Sequence, residues 1–331
     1  MSSVLVTGGA GFIGSHLVRR LVGEGHTVDI VDNMSNGSID NVSDLNIRCL
    51  LPGLIDIYES QTYNRPNNEI LVIEDDFSSP LILERISRQK YEVVFHLAAI
   101  PMVSYTVENP AETTNENLMK SVQLLEACVN NVKRVVVSST CAVYGNTSTF
   151  PTVESVAKSP ESPYALQKSC FEDFCKMFGK LYGLDTVLLR YFNVFGPGQT
   201  GASPYSTVIA AWCNAISDGA PLRFDGDGSQ SRDMCFVDNI VDANILSAFA
   251  SQSFAGEYYN ICSGANITNS DILCYLEKRF EGIQIIRAPA RPGDIIKSLG
   301  DHSAASRDFG YLPRIGFWDG LEKTLNWWNL K

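Results

Sequence analysis

Two spacings of apolar residues alternate along the chain up to Tyr191: short continuous runs, and stretches in which apolar positions recur every three or four residues. Val4-Leu5-Val6-Thr7 is the first run, and it leads through Gly8-Gly9-Ala10-Gly11-Phe12-Ile13-Gly14 into a helical pattern of Ile13, Leu17, Val18, Leu21 and Val22. Gly23 and Gly25 end that helix, and Thr27–Asp32 reads as the second strand. Glu69–Asp76 predicts a third strand, Leu81–Arg88 a helix, and Glu92–Leu97 an apolar strand of the kind a parallel sheet buries. Pro110–Asn131 predicts a long helix with Leu118, Val122, Leu125 and Val129 on one stripe, followed by a buried strand at Lys133–Ser139. The helix beginning near Tyr164 is striped by Phe171, Phe174, Cys175, Phe178 and Tyr182, and Asp185–Tyr191 is the next strand. Strands alternating with helices in this way predict an α/β fold built on a doubly wound parallel sheet.

Two stretches depart from that rhythm. Residues 33–68 are rich in Asn, Ser and Gly and read as a long connection, with one weak helical signal near Gly53–Tyr63. Beyond residue 195 the alternation becomes irregular, and loops rich in Gly, Pro and Ser appear at Gly196–Ser206 and Asp225–Ser231. The expected division is a nucleotide-binding domain over 1–194 and a smaller substrate-binding lobe over 195–331, with crossings back to the sheet.

Composition narrows the function classes. A formal charge of −11 over 331 residues argues against nucleic acid or an anionic membrane as the main partner. The nine cysteines are scattered and contain no CxxC pair, which suits reduced thiols in a core. Four widely spaced histidines offer no metal site, so none is expected. Met1-Ser2-Ser3 runs straight into a strand, so no signal peptide and a cytoplasmic location are expected. No apolar run approaches the roughly 20 residues that span a bilayer.

The chemistry concentrates in a few places. Gly8, Gly11 and Gly14 lie between a strand and a helix, where glycine permits a tight turn, close approach of a pyrophosphate and close helix packing. Asp32, at the end of the next strand, fits an acceptor for the ribose hydroxyls of NAD and would repel the 2′-phosphate of NADP. Small residues follow His96 at a strand end, and His96 itself reads as structural. Tyr164 and Lys168 share one helix face. A lysine ammonium roughly 4–5 Å from a phenol, in an effective dielectric near 20, favours the phenolate by about 3–4 kcal/mol, or roughly 2–3 pKa units. The two long striped helices would also suit a homodimer interface.

Thr7–Gly14 (TGGAGFIG), Asp32-Asn33, His96–Ala99 (HLAA), the Ser138-Ser139-Thr140 strand end, Tyr164/Lys168 and Arg190-Tyr191-Phe192-Asn193 occur in one order. In that order the chain resembles an extended short-chain dehydrogenase/reductase with a Rossmann sheet, over essentially its whole length. Gly226–Asp233 (GDGSQSRD) and Arg291-Pro292-Gly293-Asp294 narrow the resemblance to nucleotide-sugar C4 epimerases, above all those acting on UDP-N-acetylglucosamine. The resemblance implies that Tyr164 is the catalytic base, that Lys168 tunes it and holds the nicotinamide ribose, and that Thr140 bonds the sugar O4. It implies a cofactor site of Gly8, Gly11, Phe12, Ile13, Asp32, Asn33, Asp76, Phe77, Leu97, Ala98, Ala99, Asn117 and Tyr191, together with Tyr164 and Lys168. For the UDP-sugar it implies Met102, Thr140, Tyr164, Asn193, Arg232, Arg291, Asp294 and Ser298, with the two arginines on the diphosphate.

The implied reaction passes the C4 hydride to NAD+ as the O4 proton leaves, and returns it to the other face of the 4-keto sugar. The family's 4,6-dehydratases carry an Asp-Glu pair where this chain has Cys141 and Ala142, and its decarboxylases carry Glu at the place of Ala142. Neither chemistry is therefore expected. A one-way reductase and a non-catalytic NAD-binding protein are the other classes, the first marked by net use of free cofactor. Ser298 stands where a tyrosine would restrict the site to glucose and galactose, so room for an acetamido group is expected. Met102 stands where N-acetyl-sugar enzymes keep a small residue, which leaves UDP-glucose and UDP-glucuronate open.

Overall fold

The computed structural model describes residues 1–55, 66, 68–200, 207–290 and 295–330. In chain order its strands are β1 (Ser3–Thr7), β2 (Thr27–Asp32), β3 (Ile47–Leu50), β4 (Ile70–Glu74), β5 (Val93–His96), β6 (Arg134–Thr140), β7 (Thr186–Tyr191), β8 (Asn193–Phe195), β9 (Leu222–Asp225), β10 (Ser231–Phe236), β11 (Ala255–Ile261), β12 (Asn266–Thr268) and β13 (Ile285–Ala288). Eight of them form one sheet in the order β11-β7-β6-β5-β1-β2-β4-β3. β1 pairs parallel with both β2 and β5, and the parallel ladder continues from β2 through β4 to β3 and from β5 to β6. The chain thus works outward from β1 on one side and restarts at β5 on the other. Such a reversal opens a crevice at the carboxyl ends of the two strands, where ligands of α/β sheets bind. Those ends are Thr7 and His96, opposite each other in register.

The chain divides into two compact units. The first comprises Met1–Val143, Pro160–Arg190 and Val241–Tyr259, and the second Tyr144–Ser159, Tyr191–Ile240 and Asn260–Lys331. The boundary near 194 expected from sequence is therefore crossed repeatedly by the chain. In the first unit, Leu5, Val94, Val135 and Leu188 of the strands and Leu125, Phe171, Cys175 and Phe178 of the helices form one buried cluster. Phe171, Cys175 and Phe178 lie on one face of the helix Pro163–Tyr182, whereas Tyr182 ends exposed. The second unit contains a three-stranded sheet, β12-β10-β8, and a parallel pair, β13 and β9. Phe195 of β8 packs against the rings of Phe236 and Phe317, where a Cβ on Gly320 would come within 2.7 Å of Phe236.

Three local features differ from the expectation. The stretch 33–68 contains β3, a four-residue edge strand, within what read as an uninterrupted connection. The helical signal near Gly53–Tyr63 falls mostly outside the described residues, and Pro52–Leu54 forms a single tight turn. The long helix expected from Pro110 is broken by a π turn, Asn115–Met119, between Pro110–Thr114 and Lys120–Cys128. Its extra residue turns Asn117 inward, to 2% exposure. All nine cysteines are free, and five of them are buried.

Candidate active site

The glycine loop is shaped by what a side chain would strike. Gly8 has a φ of +71°, and a Cβ there would meet the Ala98 nitrogen at 2.9 Å, so the ends of β1 and β5 nearly touch. A Cβ on Gly14 would lie 2.1 Å from the Gly8 carbonyl, which fixes how closely the first helix (Phe12–Gly23) approaches the loop. No side chain caps that helix, so the Phe12 and Ile13 amides remain for an anionic ligand. Asp32 at the end of β2 accepts from the Ala10 amide and the Met34 amide, each at 3.0 Å. Burial raises its carboxyl above the usual range against the pull of those two bonds. Asn33 is exposed beside it, its Oδ1 accepting from the Ser35 amide. An open glycine loop, an uncapped helix start and a strand-end carboxylate fit a dinucleotide.

Other residues expected around the cofactor take different positions. Asp76 forms a 2.6 Å ion pair with Lys120 and accepts from the Ser78 amide and hydroxyl, so its carboxylate is already engaged. The Phe77 ring is buried against His96, 4.9 Å between centroids, which leaves only its backbone for an adenine. His96 is a structural link: its Nδ1 lies 2.8 Å from Thr7 Oγ1 and its Nε2 lies 2.9 Å from Ser121 Oγ. Burial, with Lys168 contributing, lowers its pKa to about 3, so the ring is neutral at ordinary pH. Leu97, Ala98 and Ala99 are half-buried at the end of β5, and Ala98 donates to Thr7 Oγ1 at 3.2 Å. Asn117 holds both backbone groups of Ile100, accepting from its N–H at 2.7 Å and donating to its C=O at 3.0 Å. It thereby carries the wall that continues to Met102.

Thr140 ends β6, its hydroxyl accepting from the Ala142 amide at 3.1 Å. Tyr164 stands in the first turn of the helix Pro163–Tyr182, which Ser162 caps and Pro163 starts. The Tyr164 amide donates to Thr106 Oγ1 at 3.3 Å. Lys168, one turn on, is buried and directs Nζ to the Ser138 carbonyl at 2.8 Å. This overturns the electrostatics expected from the spacing. Burial raises the Tyr164 hydroxyl, with Cys141 adding to the rise, and lowers Lys168 to about 8. In the chain alone burial is the largest influence on both groups, Cys141 adding to it at Tyr164 and Cys175 and Glu172 opposing it at Lys168. One turn further, Glu172 receives Ser139 Oγ at 2.6 Å and a bidentate Arg190 at 2.8 and 2.6 Å, tying the helix to β6 and β7.

The second unit gathers part of the expected sugar site. Asn193 begins β8 and Arg232 lies in β10, where Met234 pairs with Asn193. Ser298 Oγ donates to Asn193 Oδ1 at 3.4 Å. Arg232 donates to the Ser231 carbonyl at 3.1 Å. Tyr191 is buried at the end of β7, while Arg291 and Asp294 lie outside the described residues. Asp233 closes the GDGSQSRD run, which carried the resemblance, but the sequence assigns it no role of its own. Fully buried, it accepts from the Ser263 amide and hydroxyl and from the Gly264 and Gly300 amides. Its own amide donates to Ser298 Oγ, which places the serine.

Fold and site together define an NAD-binding enzyme of the short-chain dehydrogenase/reductase type. The chain belongs to the NAD dependent epimerase/dehydratase family, whose model matches residues 4–262. Among similar structures is a UDP-N-acetylglucosamine 4-epimerase from Methanobrevibacter ruminantium in complex with UDP-N-acetylmuramic acid. It is 37% identical, with a TM-score of 0.86 over 99% of this chain and 98% of that one. A UDP-glucose 4-epimerase from Thermus thermophilus complexed with NAD is 30% identical, with a TM-score of 0.83 over 99% of both chains. A UDP-glucose 4-epimerase of Mycolicibacterium smegmatis is 30% identical over 99% of this chain and 98% of its own length.

Proposed function

We propose that the protein interconverts UDP-N-acetylglucosamine and UDP-N-acetylgalactosamine by reversible inversion at C4, using tightly held NAD+. The observation that carries the reaction is the placing of Thr140, Tyr164 and Lys168 in one unit with the β1/β5 crevice. Bound NAD+ supplies a hydride acceptor that later returns the hydride. Thr140 holds the sugar O4, and Tyr164 takes its proton and gives one back. Lys168, whose Nζ bonds the Ser138 carbonyl in the chain alone, would share its ammonium with the ribose of the bound cofactor and there favour the ionised phenol. Arg232 and Arg291 hold the diphosphate, so the hexose is left loose enough to turn its other face. Ser298 supports the N-acetyl sugar, since its small side chain stands within hydrogen-bond reach of Asn193, where a tyrosine would be far bulkier. The similar enzyme from Methanobrevibacter ruminantium is named for the same sugar. UDP-glucose is the second reading, supported by the names of the two other relatives and by the bulk of Met102. We also propose a homodimer through the exposed Leu166, Met177, Leu181 and Tyr182 of the helix Pro163–Tyr182.

The test is incubation with UDP-N-acetylglucosamine, UDP-glucose or UDP-glucuronate without added cofactor, followed by NMR of the sugar. C4-inverted UDP-N-acetylgalactosamine is the expected product. Absence of inversion with all three would sink the epimerase reading, and inversion of UDP-glucose alone would sink the choice of sugar.

A further inference from the structure

Two buried side-chain amides form a continuous link between the strand-end wall and the tyrosine helix, and one of them, Gln167, has no role in the reading above. Asn117 grips Ile100 N and O, and its remaining N–H donates to Gln167 Oε1 at 2.8 Å. Gln167 in turn donates from Nε2 to Thr113 Oγ1 and Thr114 Oγ1, both at 3.1 Å. Those hydroxyls donate onward to the Asn109 and Pro110 carbonyls, at 2.8 and 2.7 Å. Every N–H of both amides has an acceptor, and each carbonyl oxygen has a donor. Flipping Asn117 would set its nitrogen against the Ile100 N–H and its oxygen against Gln167 Oε1. Flipping Gln167 would bring two NH2 groups together. Only one arrangement satisfies the pair, so the link has a single length and direction.

We propose that Gln167 is a positioning residue for hydride transfer, holding the wall from Leu97 to Met102 at a fixed depth against the helix that carries Tyr164 and Lys168. The inference rests on the roles proposed for Tyr164 and Lys168 and on NAD as cofactor. Gln167 lies three residues after Tyr164 and one before Lys168, with 3% exposure, so it moves only with that helix. Ile100 follows Leu97–Ala99, against which the cofactor is expected, and stands two residues before Met102. The link therefore keeps the hydride acceptor and the proton acceptor in register. A displacement near 1 Å at such a distance can cost about 100-fold in rate.

Gln167→Leu keeps the bulk and removes the amide. It should retain its fold by circular dichroism, with kcat reduced at least about 10-fold and KM for the UDP-sugar changed less than about threefold. NAD content after desalting should fall below that of the wild type, and NADH fluorescence should accumulate during turnover. Full NAD content with kcat within twofold of wild type would overturn the proposal. If Gln167→Leu does not accumulate folded, Thr113→Val combined with Thr114→Val removes the anchors while leaving Gln167 bonded to Asn117. The same changes are expected there at smaller size, and wild-type NAD content and kcat would again overturn it. NAD content is read without any sugar, so failure of the epimerase assignment would remain distinguishable from failure of this one.

Discussion

Lys168 is a proposed site residue whose charge changes near neutral pH. Burial lowers its pKa to about 8, so the NAD-free chain holds an ammonium below that pH and loses it as pH rises through it. If the ammonium is what grips the ribose, NAD affinity should be full near pH 7 and about tenfold weaker at pH 9, following the loss of the charged form. Titration of NAD-stripped protein at the two pH values checks this, and equal affinity would remove Lys168 from that role. By linkage, bound NAD should raise the Lys168 pKa. Ser298 bears on a different proposal, the choice of sugar. Tyrosine in its place would be far bulkier beside Asn193, so Ser298→Tyr should cost UDP-N-acetylglucosamine turnover about 1–3 kcal/mol, roughly 5- to 150-fold in kcat/KM. UDP-glucose turnover should change little; parallel losses on both sugars would discount the gate.

At the level of elements, the helix Pro163–Tyr182 is held by an ion pair with almost no access to water: Arg190 is 0% exposed and Glu172 1%. Arg190 also stacks over the Tyr258 ring at 3.7 Å. Glu172→Gln would strand a buried guanidinium beside a neutral amide, and a loss of about 3–5 kcal/mol in urea unfolding is expected. A loss below about 1 kcal/mol would mean the pair is dispensable for seating the helix. Elements such as β1, the glycine loop and the first helix were legible in the sequence because their signals are local: a β-branched run, three spaced glycines and an apolar stripe. Thr140, Tyr164 and Lys168 were singled out through motif order, and their catalytic roles are the ones proposed above. The direction of the Tyr164 shift was hidden, because spacing puts both side chains on one face but does not reveal the burial that raises the hydroxyl, with Cys141 adding to it. The π turn escaped because one extra residue hardly disturbs the stripe of Leu118, Val122 and Leu125. β3 escaped because four residues including Arg48 and an exposed Cys49 carry too little pattern. Gln167 and Asp233 escaped for a shared reason: a polar residue gives no sign of burial until its partners, distant in sequence, are assembled around it.

For the whole molecule, the exposed apolar side chains on the helix Pro163–Tyr182 bear on assembly. Light scattering coupled to size exclusion should give twice the 36.4 kDa chain mass. Leu181→Asp should shift the protein toward monomer, and an unchanged wild-type monomer at micromolar concentration would exclude this face as an interface. The interleaving of the two units has an evolutionary consequence. Each unit is assembled from three separate lengths of chain, so a single genetic crossover anywhere between Tyr144 and Tyr259 makes hybrids of both. A chimera cut after residue 194 would take the segment Val241–Tyr259, which completes the first unit and carries most of β11, from the other parent. Recombination would thus disturb the packing of both units at once. With the sugar preference proposed to rest on Ser298 and Met102, a change of substrate in such a chain would come more readily by point substitution than by exchange of a long segment.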